Sequence, residues 1–393
     1  MGDREAVKAA ILGMPNDNLL IELPTGHGKT AVALELLRER VPSGKVLVVV
    51  PKVVLKGSFM AEVKKWWPEC PLEFTLITYR SLHKYTGNWN AVIYDEAHHL
   101  TPKCREVLKD INSKYSILLS ATVPKRLKET LKRLYDNLGC YKRTVKEAID
   151  NGVLPDPGVY LLPLELDNTV YSEIIIKNPT CKRVIETEWK YRWNYIGKVK
   201  DAKIIIHCTK KQYMIDLDGQ IEWWKKKAMQ TGKEVFKNRW LRLCGERLKL
   251  LSNWRTDNSA AILKYFKNYR TLTFCNSIEQ TEVLGKYCVN SKNKLYQDVL
   301  NKFNAGRIKH ITACNMLDEG VNLANCRIGV YAVLNSSDRL IKQKLGRLLR
   351  HEHPVLIIPF TKGTREEELV QTMLLDYNPD LVTVVKDIKD IVL

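Results

Sequence analysis

At 393 residues and 45.4 kDa, the chain is long for one domain and is expected to hold two or three. A 45% hydrophobic share supports buried cores, and the lack of any apolar stretch of roughly 18 residues argues against a membrane span. The net charge of +19, with a pI near 9.4, points to a polyanionic partner, nucleic acid first. Ten cysteines without a C-x-x-C pair argue against a disulfide framework or a zinc site and suggest a reduced, cytoplasmic setting. The opening "MGDREAVKAA" lacks the pattern of a signal peptide.

In chain order, residues 19–150 alternate short apolar runs with helical patterns. "LLIEL" (19–23), "VLVVV" (46–50), "FTLIT" (74–78), "AVIY" (91–94) and "SILLS" (116–120) read as strands. Between the first two, "KTAVALELLRERV" sets Val32, Leu36 and Leu37 on one helical face. Such alternation means a parallel sheet with crossover helices. "VLPDPG" (153–158) reads as a hinge. Residues 177–255 then carry 20 Lys and Arg against 8 Asp and Glu, together with six of the nine tryptophans. Within them the stretch 222–251 reads as helix. Its indoles could stack on bases while its lysines follow a phosphate backbone, or the tryptophans could pack a small bundle, the favoured reading for most of them. The strand rhythm returns in "TLTFC" (271–275), "HITAC" (310–314), "IGVYAV" (328–333) and "VLIIP" (355–359). The expected fold class is therefore α/β, with two parallel-sheet lobes at 1–150 and 259–393. A hinge and a largely helical basic segment fill 151–258.

Chemistry concentrates in two stretches. In "IELPTGHGKTAV" (21–32) Gly26 and Gly28 would let backbone N–H groups approach phosphates. Lys29 would reach the β and γ oxygens and the Thr30 hydroxyl would hold Mg²⁺. The strict phosphate-loop signature asks for glycine at position 23, where this chain has Leu23. In "VIYDEAHHL" (92–100) an apolar strand ends in two adjacent carboxylates, which is costly unless a cation and a reacting water use them. Asp95 would hold Mg²⁺ and Glu96 would activate the attacking water.

Together "PTGHGKT" and "DEAH" resemble motifs I and II of superfamily 2 helicases and translocases, which do not need the first glycine. Further motifs follow in order: "VVPKVVLKGSF" (49–59) is similar to motif Ia, "LITYRSL" (76–82) to Ib and "LLSATV" (118–123) to III. "TFCNSIEQTEVL" (273–284) resembles motif IV, "ITACNMLDEGVNL" (311–323) V and "QKLGRLLR" (343–350) VI. The flavour is that of DEAH-type members: phage branch-migration helicases, XPB-like helicases and type III restriction motors.

The resemblance implies RecA-like folds for both lobes, with ATP between them. It assigns Pro24, Thr25, Gly26, His27, Gly28, Lys29, Thr30 and Gly320 to the nucleotide, and offers Arg4 for the base. The usual glutamine of that base-reading pair is replaced by Val7. Gln343 would meet the γ-phosphate, and Arg347 and Arg350 the charge that develops during phosphoryl transfer. Ser120 and Thr122 would couple hydrolysis to the nucleic-acid track. Pro51, Lys52, Thr78, Tyr79 and Arg80 in the first lobe, with Asn276, Ser277 and Thr312 in the second, would line that track. The expected activity is ATP-dependent unwinding or branch remodelling of DNA by a monomer. A duplex-DNA translocase, an RNA helicase and a scaffold with a vestigial ATPase are the rivals. Little chain precedes residue 19 or follows 360, a compactness that suits a viral or phage-encoded enzyme in the host cytoplasm.

Overall fold

The computed structural model describes residues 2–314, 323, 326–334, 351–375 and 377–393. The first six strands form one sheet: β1 (Asn18–Glu22), β2 (Gly44–Val50), β3 (Leu72–Thr78), β4 (Gly87–Tyr94), β5 (Ile111–Ser120) and β6 (Leu138–Lys142). Their order is β3-β2-β4-β5-β1-β6, and every pairing is parallel. The uninterrupted "VLVVV" run follows from burial on both faces. Val46, Val48 and Val50 join Ile21 and Ile93 in one core, and Leu47 and Val49 join Leu20, Val92 and Tyr94 in the other. Helices α1 (Asp3–Leu12), α2 (Lys29–Arg40) and α3 (Val54–Trp66) supply Ile11, Leu37 and Phe59 to the first core. After the short α4 (Pro102–Val107), α5 (Lys125–Leu134) covers the second with Leu127 and Leu131.

A second sheet is also parallel throughout. Its strands are β7 (Gly158–Leu164), β11 (Thr271–Phe274), β12 (Cys288–Val289), β13 (His310–Ala313), β14 (Ile328–Tyr331), β15 (Val355–Thr361) and β16 (Val382–Val384), in the order β12-β13-β11-β14-β15-β7-β16. Strand β7 comes from the stretch the sequence reading gave to the hinge and basic segment. The chain thus enters the second sheet at 158, leaves it, and returns at 271. Helix α6 (Val145–Asp150) also buries Val145 and Ala148 in the second sheet's core, beside Leu154.

Between these visits lie β8 (Glu173–Lys177), β9 (Arg183–Glu188) and β10 (Ala202–Cys208), which make a small mixed sheet. The sequence reading did not identify it. Two helices follow, α7 (Lys210–Thr231) and α8 (Glu234–Trp254). The continuous helix expected over 222–251 is instead a helical hairpin, because Gly232 adopts φ +66° and ends α7 in a left-handed cap. Leu217, Ile221 and Leu243 form its core. Of the six tryptophans, Trp193 and Trp223 are exposed and the others half-buried. The indole of Trp254 donates to Glu173 Oε1 at 3.0 Å and ties the hairpin to the small sheet. Lys227 Nζ stands 4.5 Å from the Trp223 ring centre and 4.8 Å from that of Phe236, a cation–π contact across the hairpin. Among the described residues no helix is long and apolar enough to cross a membrane.

Candidate functional site

Sheet order decides which motifs meet. Strands β4, β5 and β1 are neighbours and parallel, so their carboxyl ends lie side by side. The loop after β1, the carboxylates after β4 and the turn after β5 therefore share one edge of the sheet, where open α/β sheets bind ligands.

Gly26 and Gly28 take φ +92° and +93°. The left-handed region penalises any residue with a Cβ, so glycine at both positions is a backbone requirement. A Cβ on Gly26 would stand 3.6 Å from Leu154, and one on Gly28 would meet nothing within 4 Å. Gly28 caps α2 without a side-chain bond, leaving the dipole-positive end of that helix open to an anion. Lys29, the first helical residue, reaches back so that Nζ lies 3.5 Å from Leu23 O and 3.4 Å from Glu96 Oε1. Thr30 follows, half-buried. Leu23 is fully buried in the first core, and its N–H donates to Ser120 O at 3.0 Å.

Asp95 accepts the N–H of Glu96 on Oδ1 at 3.1 Å, and its own N–H donates to Val49 O at 2.9 Å. Glu96 sits at φ +50°, a left-handed conformation that costs a non-glycine residue about 1–2 kcal/mol. The bend returns its carboxylate toward Lys29. His98, whose side chain is 1% exposed, lies with Nδ1 3.4 Å from Glu96 Oε2 and 3.0 Å from Ser120 Oγ. Ser120 donates to Thr122 O at 3.0 Å. Thr122 N–H returns to Ser120 Oγ at 3.3 Å. The sequence reading gave His98 no role, although the doubled histidine of "DEAHH" marked it.

Three of the nominated residues, Tyr79, Thr312 and His27, are buried. Tyr79 was placed on the nucleic-acid track, but it is buried and its hydroxyl donates to Asp95 O at 2.7 Å, joining the end of β3 to the carboxylate turn. Thr312 was placed there too. It is 1% exposed and its hydroxyl donates to Thr281 O at 3.0 Å, so it faces inward from β13. His27 has its backbone N–H committed to Pro24 O at 3.2 Å, and its buried ring lies 3.9 Å from Asp3. Burial holds the pKa of that ring below its ordinary value, with smaller opposing help from Asp3.

The other nominated residues range from buried to exposed. Arg4 is exposed and its guanidinium donates to Gly26 O at 3.4 Å. Pro24 is buried and Thr25 half-buried in the loop. Arg80 is exposed, and Pro51, Lys52, Thr78, Asn276 and Ser277 are half-buried. Ser277 also caps α10 (Ile278–Leu284), accepting the N–H of Gln280 at 3.2 Å. Gly320, Gln343, Arg347 and Arg350 lie outside the described residues.

The family described as "Type III restriction enzyme, res subunit" matches residues 3–81, the span from α1 through the phosphate loop to the end of β3. The chain is 25% identical to the DNA 3'-5' translocase XPB2 of Sulfurisphaera tokodaii, over 93% of its own length and 82% of that protein's. S. cerevisiae Dbp5 bound to RNA and ADP BeF3 superposes with a TM-score of 0.56 at 12% identity, over 98% of this chain and 89% of that one. The Pyrococcus furiosus Hef helicase domain superposes with a TM-score of 0.51 at 16% identity, over 94% and 97%. The chain shares the α/β fold of these two solved structures, with its two parallel sheets, and in sequence it is similar to the XPB2 translocase.

Proposed function

We propose that the chain is a nucleic-acid-dependent ATPase that acts as a helicase or translocase on DNA. The observation that carries the reading is the meeting of Lys29 Nζ with Glu96 Oε1, at 3.4 Å, at the mouth of a loop whose glycines hold left-handed φ. A lysine at a bare helix N-terminus suits the β and γ oxygens of a nucleoside triphosphate. Glu96 lies close enough to that position to take a proton from an attacking water. His98 and the strained backbone at 96 would hold its carboxylate in place. The Thr30 hydroxyl and Asp95 carboxylate are hard oxygen donors that follow β1 and β4 at one edge of the sheet, the donor chemistry Mg²⁺ takes. Bound there, the ion would neutralise phosphate charge as the terminal bond breaks.

From the second lobe, Arg347 and Arg350 are proposed to face the transferring phosphoryl group, with Gln343 and Gly320 at the nucleotide. Exposed Arg80, with Pro51, Lys52, Thr78, Asn276 and Ser277, is proposed to hold the nucleic-acid backbone. DNA is favoured over RNA because the relative matched along 93% of the chain is a DNA translocase. The surplus of basic residues over 177–255 supports a polyanionic track. The test is ATP-driven displacement of an annealed or third strand from forked, branched and blunt DNA and from RNA duplexes. Displacement on DNA, abolished in Lys29→Ala, supports the reading. ATP hydrolysis without displacement of any strand on any substrate contradicts it.

A further inference from the structure

Glu22 occupies a position where the alternation of β1 calls for an apolar side chain. Leu19, Ile21 and Leu23 face one core and Leu20 the other, and position 22 falls on the side of Leu20. Glu22 is nevertheless 4% exposed. A buried carboxylate is expensive unless donors satisfy it, and two do so here. Oε2 accepts the backbone N–H of Val123 at 3.0 Å, and Oε1 accepts Lys128 Nζ, on α5, at 2.8 Å. Val123 ends the turn that begins at Ser120, so the side chain ties that turn to the strand leading into the phosphate loop.

This contact closes a ring. Glu96 meets Lys29, Lys29 meets Leu23 O, Glu22 precedes Leu23 and holds Val123, and the turn carries Ser120. Ser120 meets His98, which returns to the second oxygen of Glu96. Every link is a hydrogen bond, an ion contact or a few residues of backbone, so a shift at the Lys29–Glu96 end must be taken up elsewhere in the ring. Without Glu22, the turn would remain joined to the phosphate-loop strand by the main-chain bond from Leu23 N–H to Ser120 O, three residues before Val123.

We propose that Glu22 is a positioning residue that couples the nucleotide site to the turn after β5. It rests on the ATPase-motor reading above and deepens it. The hydrogen bond that Glu22 Oε2 accepts from Val123 N–H performs the coupling, and Lys128 only neutralises the charge. An alternative in which the pair merely stabilises the fold predicts something different. Replacing a buried ion pair with apolar side chains of similar size is commonly neutral for stability, but Glu22→Leu also leaves the buried Val123 N–H without its acceptor. On that alternative Glu22→Leu/Lys128→Met would lower the melting temperature and leave the length of DNA traversed per ATP unchanged.

The experiment measures the length of DNA traversed per ATP hydrolysed, by third-strand displacement and phosphate release on the full chain, with kcat and KM for ATP and a melting temperature for each variant. Glu22→Gln keeps an acceptor for Val123, and Lys128→Met keeps the whole carboxylate; both are expected to stay within about twofold of wild type in that ratio. Glu22→Leu/Lys128→Met is expected to lose about fivefold or more in the ratio, with a smaller change in KM. If the double variant does not fold, Glu22→Asp, which draws the carboxylate back by one methylene, is expected to lose part of the ratio. A wild-type ratio in the double variant, or in Glu22→Asp where that variant stands in, overturns the proposal, as does an equal loss in Lys128→Met. If wild type hydrolyses no ATP on any nucleic acid, the motor reading has failed instead.

Discussion

Nζ of Lys29 lies 3.4 Å from Oε1 of Glu96. Each partner is drawn from a different stretch of sequence, and each is held by its own backbone device: the left-handed glycines of the loop, and the left-handed turn at Glu96. If Glu96 is the general base, Glu96→Gln keeps the shape and its hydrogen-bonding capacity but cannot take the proton. General-base removal typically costs about 10²–10⁴ in rate. We therefore expect turnover to fall by about that factor while ATP and DNA remain bound together, read by filter binding with labelled ATP. Turnover at the wild-type rate would remove the assigned role.

Burial lowers the pKa of His27 from its ordinary 6.5. The unfolded chain takes up a proton near 6.5, whereas the folded chain resists until a lower pH. The stability associated with a neutral His27 is therefore complete above about 6.5 and is lost as pH falls through the lowered folded value. Denaturant midpoints should drop across that window in wild type, and less steeply in His27→Gln. Parallel curves would contradict the buried, neutral assignment.

Arg255 is buried against Glu366 where α8 gives way to α9 (Thr256–Tyr265). Its guanidinium also donates to Ala332 O at 3.0 Å, and Glu366 accepts Thr361 N–H at 3.0 Å. Arg255→Met strands a buried carboxylate and should destabilise the chain by about 3–5 kcal/mol, most of it recovered in Arg255→Met/Glu366→Met. Urea unfolding checks both. An unchanged midpoint in the single variant would contradict the burial of the pair.

Arg80 and Thr312 were nominated together for nucleic acid, and the structure separates them. Arg80→Ala should weaken single-stranded DNA binding and reduce the log–log salt slope by about 0.7, one phosphate contact. Thr312→Val should leave that slope alone and cost about 1 kcal/mol of stability through its lost bond to Thr281. Fluorescence anisotropy over a salt series distinguishes them, and a flat response to Arg80→Ala would take that residue off the track.

Five strands of the first sheet and four of the second were legible because burial writes them as bare apolar runs, whereas the more open β6 and the short β12 and β16 were not. Strand β7 was harder to see: its run "VYLLPL" contains a proline and stands directly behind the proline-rich hinge. The small sheet was hidden among lysines, since the outer faces of β8 and β9 are exposed. The hairpin was read as one helix because a single glycine among good helix formers carries little weight until its φ is known. At the site, residue type and spacing nominate Lys29, Asp95 and Glu96, and the structure brings Lys29 Nζ within 3.4 Å of Glu96 Oε1. The inward turn of Tyr79 and Thr312 was not legible, because a hydroxyl offered to a phosphate and one offered to a buried carbonyl look alike in sequence. Glu22 left a trace as the one charge in "LLIEL", but its partners lie about a hundred residues further on.

Phosphate release by the full chain, measured with no nucleic acid, single-stranded DNA, branched DNA and RNA, tests the proposed motor most directly. Stimulation by DNA, strongest on branched or single-stranded forms and absent in Lys29→Ala, is the predicted result. A rate that is the same with and without every nucleic acid would contradict it.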